Sequence, residues 1–212
     1  MAFVSLRTFG RLVRPFFFGP VMLKSKIIRL GGKDEGLKLR LHELPALVAD
    51  RHARAALDTL GADKTTGIVA LALKHFADVR KLGPAGLDLL MPFVEGTVEH
   101  DGRSHAFDVA RDLKDWRNVE RVQQYALHLH VGFLFERESL DVPVSFRAEQ
   151  IMRDSSDISV TFCSGFIATV IQSKLATYRE LETVLSTEDA YNLVEILNVD
   201  AIQTWQAHKD AQ

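Results

Sequence analysis

The sequence has a single cysteine among 212 residues, Cys163, so an internal disulfide is excluded and a reducing compartment suits the chain. It has no apolar run of membrane-spanning length. The most apolar internal stretches, near 68–73 and 131–135, are no longer than a buried helix segment. Overall charge of one sign is missing as well: 26 Lys and Arg stand against 28 Asp and Glu, for a formal −2. That balance fits neither a dedicated nucleic-acid binder nor a membrane-surface protein. There is no G-x-G-x-x-G. The nearest approach to a Walker A loop, Gly61-Ala-Asp-Lys64-Thr65-Thr66-Gly67, puts Asp63 where a glycine must precede the lysine, and a carboxylate there repels phosphate. What remains is an ordinary folded composition, 47% hydrophobic and 25% charged, in a chain long enough to bury a core without metal or cross-link.

The near-neutral total hides an uneven layout. Residues 1–54 carry eleven Lys or Arg against four Asp or Glu, whereas residues 178–212 carry two basic residues against seven acids. Such asymmetry points to head-to-tail self-association or to two unlike partners. Residues 1–21 stand apart: Arg7, Arg11 and Arg14, no acid, and five of the thirteen phenylalanines. Their composition resembles a transit peptide, but the arginines interrupt any secretory h-region. Met22-Leu-Lys-Ser-Lys is an ordinary start, so 1–21 is read as an arm outside the fold, with a mitochondrial presequence ending near Pro20 as the alternative.

Periodicity supplies the elements. Residues 26–41 read as a hairpin around Gly31-Gly32-Lys33-Asp34-Glu35-Gly36, with Leu37, Leu39 and Leu41 on one face and Lys38 and Arg40 toward water. Helices are expected from Pro45 to Gly61 (with Leu47, Val48, Arg51, Ala55 and Leu57 on one face), over 66–79, and after Gly83-Pro84. Residues 93–110 are open to two readings, a second hairpin or a surface loop around His100-Asp101-Gly102-Arg103. The longest helix is expected over 115–140, with Trp116, Val122, Tyr125, Ala126, Leu129 and Phe133 in its apolar stripe. A further helix follows Ser155-Ser156-Asp157 and carries Phe162, Cys163 and Phe166. Two capping boxes then stand in tandem, Thr177-x-x-Glu180 and Ser186-x-x-Asp189. The fold expected is mainly α: a helical domain over 22–146 with a small N-terminal β-hairpin, then a smaller C-terminal helical unit over 147–212.

No motif specifies catalysis or a metal. His128 and His130 lie two apart, which on a helix points them to different sides, and His130 reads as a histidine at a packing seam. Cys163-Ser164-Gly165 lacks the G-x-S-x-G elbow, so Cys163 reads as a buried structural thiol. The capped C-terminal helices are no DNA-reading pair, because residues 186–207 contain no Lys or Arg for phosphates. One alternative stays open: a small cytoplasmic helical enzyme or metal- or ligand-binding protein that uses His100, Asp101 and His105.

Over about 24–135 the chain resembles the tail assembly chaperones of long-tailed bacteriophages. The likeness lies in the order of features: the basic hairpin running into Glu43-Leu44-Pro45-Ala46, the helix with Arg51 and Ala53, the small-residue stretch Gly67-Ile-Val-Ala-Leu-Ala-Leu73, then residues 87–93, and the string Leu129-His130-Val131-Gly132-Phe133. Residues 185–197 with Val199-Asp200-Ala201 are also similar to phage tail-cluster proteins. In that family a short form is often extended by translational frameshifting, for which 150–159 is the corresponding join. The resemblance implies a non-enzymatic cytoplasmic protein without cofactor or metal, which coats and solubilises the tape-measure protein, is displaced as tail tube subunits polymerise, and self-associates weakly. It implies no nucleic acid and no membrane. Surplus apolar side chains would accept the partner helix, and the candidates are Phe133, Leu134, Phe135, Phe162, Phe166 and Trp205.

Overall fold

The computed structural model describes residues 23–100, 102–138, 140–146 and 160–211. The arm over 1–21, the join at 150–159, the turn residue Asp101 and the Ser155-Ser156-Asp157 signal lie outside the described residues. The fold is mainly α with a small sheet on its N-terminal side.

The expected hairpin forms as β1 (Ser25–Arg29) and β2 (Lys38–His42), antiparallel with Ile27 opposite Arg40. Leu39 and Leu41 are fully buried, while Lys38 and Arg40 are exposed, as the period of two requires. Of the two readings of 93–110, the hairpin holds: β3 (Glu95–His100) pairs with β4 (Arg103–Ala106). The two hairpins join through β2 and β3 into one antiparallel sheet in the order β1-β2-β3-β4. Gly96 sits opposite Leu41, where a Cβ would stand 2.5 Å from the Arg40 carbonyl oxygen. Local sequence specified the first hairpin and left the second open; their union needed that close approach.

Helix α1 (Ala46–Thr59) begins after Pro45. Its buried face is Leu47, Ala49, Asp50, Ala53, Ala56 and Leu57; Arg51 and Ala55, expected on that face, are exposed. Small residues dominate because both cores close on this helix. The segment 68–81 runs as α2 (Ile68–Ala70), a π-helical turn (Leu71–His75) and α3 (Phe76–Lys81), followed by α4 (Pro84–Leu90). Short α5 (Val109–Asp112) leads to α6 (Trp116–Val131) and α7 (Phe133–Glu136). The expected 115–140 helix therefore stops at Val131, with a turn at Gly132. Trp116, placed in its stripe, is 67% exposed. The C-terminal helices are α8 (Gly165–Gln172), α9 (Tyr178–Thr183) and α10 (Thr187–Asp210). The longest helix is thus α10. Phe162 and Cys163 precede α8 rather than lying within it, and Cys163 is buried.

The main core joins Leu39, Leu41, Ala53, Leu57, Leu71, Phe93, Val122 and Leu127. A second core gathers Cys163, Ile167, Val170, Leu181, Ala190 and Leu193 around Ala46 and Leu47 of α1. Both tandem capping boxes form, each with reciprocal side-chain and backbone bonds.

Three buried polar side chains fasten elements far apart in sequence. Asp34 in the first hairpin's turn accepts from the backbone N–H groups of Lys114 (2.7 Å) and Asp115 (3.1 Å) and from Asn118 Nδ2 (2.8 Å), which fixes the start of α6. Burial opposes its ionisation, but those donors prevail and hold its carboxyl below the usual range. His130 donates from Nδ1 to the Ala126 carbonyl (2.7 Å) and accepts at Nε2 from the Leu44 N–H (2.9 Å). Asp50 on α1 accepts from the Ser164 N–H at 2.9 Å, capping α8 from outside its own chain segment.

Candidate functional site

An open groove of about 820 Å³ lies beside α6. Ala72, Phe76, Leu127, Val131 and Phe135 make its apolar floor. Lys26, Arg80, Arg121 and His128 stand on its rim, with Gln124 and Tyr125 between them, and no carboxylate is among the lining residues. Residues 121, 124, 125, 128, 131 and 135 recur at helical spacing, so α6 and α7 supply one wall along about 20 Å. The other wall is the 68–81 segment, whose π-helical turn holds Ala72 and hands on to Phe76 and Arg80. A π turn weakens regular helix bonding and recurs at functional sites. Here it lies on the groove.

Two of the rim cations lie against one aromatic face. Lys26 Nζ lies 4.8 Å and the Arg121 guanidinium carbon 5.7 Å from the centre of the Tyr125 ring. Arg80 pairs with Glu120 at 2.7 Å. At the far end the Phe135 ring stacks with His128 at 6.3 Å and an interplanar angle of 18°. Gly132 makes room for this arrangement, since a Cβ there would stand 2.8 Å from His128 Nε2.

The six candidate residues do not assemble into one surface. Phe135, 67% exposed, is the one that lines the groove. Leu134 packs against the main core. Phe133 and Phe166 both pack on Tyr191, at ring distances of 5.5 and 4.7 Å, and so join α7 and α8 to α10. Phe162 is exposed beside Tyr178, at 6.3 Å. Trp205 meets Phe146 at 5.7 Å and Lys209 Nζ at 4.9 Å. The sequence reading missed Lys26, Phe76, Arg80, Arg121 and Tyr125. Arg121, Tyr125 and His128 recur at helical spacing, but the sequence places Tyr125 in the apolar stripe, and Lys26 and Arg80 join them only through tertiary folding.

A second pocket, of about 600 Å³, lies at the start of α8 and is lined by Arg54, Asp63, Lys64, Thr65 and Cys163 among others. Burial pushes the Cys163 thiol up to about 11, so its thiolate is scarce at neutral pH, and no histidine lines the pocket to act as its base. Arg54 Nη2 donates to the Thr161 carbonyl at 2.7 Å. On the other candidate loop, His105 Nε2 lies 3.0 Å from Asp112, a carboxylate already engaged by Arg111, while Arg103 stands opposite His100. Among the described residues no group of three His, Cys, Asp or Glu side chains converges as metal ligands would. No described helix is long and apolar enough to cross a membrane.

No protein-family model, curated protein or solved structure matches the chain.

Proposed function

We propose that this protein is a non-catalytic assembly chaperone of a long-tailed bacteriophage. It binds the helical tape-measure protein in the cytoplasm of the bacterial host, keeps it soluble, and gives it up as tail tube subunits polymerise. The observation that carries the reading is the groove beside α6: two helical walls, an apolar floor ending at exposed Phe135, and a cationic rim. Such a trough accepts an amphipathic helix by ridge-into-groove packing, with weak enough contact for later displacement. The order of features from the basic hairpin to Leu129–Phe133 supports the assignment to tail assembly. Weak self-association belongs to the same reading, motivated by the basic N-terminal and acidic C-terminal halves.

Co-expression with the tape-measure protein of the same phage tests it. A rise in soluble tape-measure protein and its co-purification with this chain are expected. Unchanged solubility together with no co-purification would sink the proposal.

A further inference from the structure

Resting on the reading of the groove as a helix-docking site, we infer that its occupant is a polarised helix of a partner protein, with carboxylates at one end and a bulky apolar side chain some turns away. The groove is itself polarised along α6. Lys26, Arg80 and Arg121 gather at the end near Tyr125, and Arg80 is tied there by Glu120. Val131 and Phe135 occupy the other end, with Phe76 and Leu127 also in the floor. Phe135 stands fourteen positions after Arg121, about 21 Å at 1.5 Å per residue, or about four helical turns. The cations are concentrated here although the whole chain is net acidic, at −2, and no carboxylate lines the groove. Glu120 offsets part of the Arg80 charge. Among the described residues Lys26 and Arg121 make contact with the Tyr125 ring and form no ion pair, so their charges face an incoming ligand. A basic helix is repelled at this end, and an uncharged amphipathic helix gains only from the floor.

The experiment uses the full chain and three fluorescent amphipathic peptides of about four turns that share one Leu/Phe stripe. They carry Glu, Gln or Lys at one end. The Glu peptide is expected to bind about tenfold more tightly than the Gln peptide at low salt, with the Lys peptide weakest, and the spread should shrink as salt shortens the screening length. The double variant Lys26→Glu with Arg121→Glu should invert the Glu and Lys order; Arg121 is exposed and Lys26 half-buried, both against Tyr125, so a single cooperative melt lowered by a few degrees at most is expected. Phe135→Ala should weaken all three peptides alike. Equal affinities, or an order unmoved by the double variant, overturn the inference. So does binding of oleate vesicles with no binding of any peptide, which would assign the groove to an anionic lipid. Tape-measure protein that still co-purifies with the double variant would overturn this inference and leave the chaperone reading standing. Loss of co-purification from the wild-type chain itself would strike the chaperone reading instead.

Discussion

His130 and Glu43 show how single buried groups set the pH range of this fold. Desolvation lowers the His130 imidazole to about 4, and the ring stays neutral to serve Ala126 and Leu44 at once. A base with a depressed folded value contributes stability above its ordinary value near 6.5, and that contribution is lost as pH falls toward about 4. Glu43 behaves in the opposite sense. Burial raises its carboxyl to about 7, the Lys24 N–H offsets part of that, and Glu188 and Asp189 lie nearby on α10. An acid with a raised folded value stabilises most while protonated, so stability falls as pH rises from 4.5 through about 7. Urea midpoints across this range should therefore reflect two opposing terms on the order of 3 kcal/mol each. His130→Gln is expected to abolish the acid-side loss and Glu43→Gln the loss toward neutral and alkaline pH. A wild-type profile unchanged by either substitution would refute these assignments. The histidine's structural role was legible from its place in an apolar helix. The glutamate's was not, because the acids that oppose its ionisation, Glu188 and Asp189 on α10, lie more than a hundred residues away.

At the scale of elements, local signals performed best where a side chain bonds its own neighbourhood. The Thr177 and Ser186 capping boxes formed as read, since their geometry needs only four residues. The 115–140 helix was overextended because Gly132 interrupts a run whose hydrophobic spacing continues past it. The π turn at Leu71–His75 left no periodic trace either, as one extra residue in a turn scarcely changes the apolar pattern. Gly67 is the junction that sequence gave least hint of. It precedes α2 at φ +52°, and a Cβ there would stand 1.9 Å from Asp50 Oδ1. Gly67→Ala should cost at least about 2 kcal/mol, combining left-handed strain with displacement of the carboxylate that caps α8. Thermal melts would measure the loss, and hydrogen exchange in α8 should quicken beyond that in β2. A variant as stable as the wild type would show that Asp50 is not held in this position.

For the whole molecule, the decisive fact is that α1 serves two cores. Ala46 and Leu47 belong to the C-terminal cluster, while Ala49, Ala53 and Leu57 belong to the main one. The Ala46 N–H also donates to the Leu185 carbonyl at 2.7 Å, and Arg51 pairs with Glu182 at 3.0 Å. The two clusters should accordingly melt together. Leu47→Ala is expected to remove about 2–4 kcal/mol and lower a single calorimetric transition. Two separated transitions, with only the C-terminal one shifted, would show that the units fold independently. The charge asymmetry takes on a definite form at this scale as well. Lys24 bridges to Glu188 and lies over Phe133, so part of the basic N-terminal half and acidic C-terminal half is satisfied within one chain. Lys26 and Arg121, by contrast, lie on the Tyr125 ring and form no ion pair among the described residues.

Sequence alone determined the fold class, the first hairpin with its buried Leu39 and Leu41, the start of α1 after Pro45, the two capping boxes and the burial of Cys163 and His130. These depend on period, turn chemistry or hydrophobicity, all of which act over a few residues. Tertiary structure alone decided the four-stranded union of two hairpins, the double use of α1, and the roles of Asp34, Asp50 and Glu43. It also decided which of the exposed aromatics borders a groove. The physical reason is distance along the chain: Lys26, Arg80 and Arg121 acquire a common electrostatic field only once packing has brought three separate elements within reach of one another.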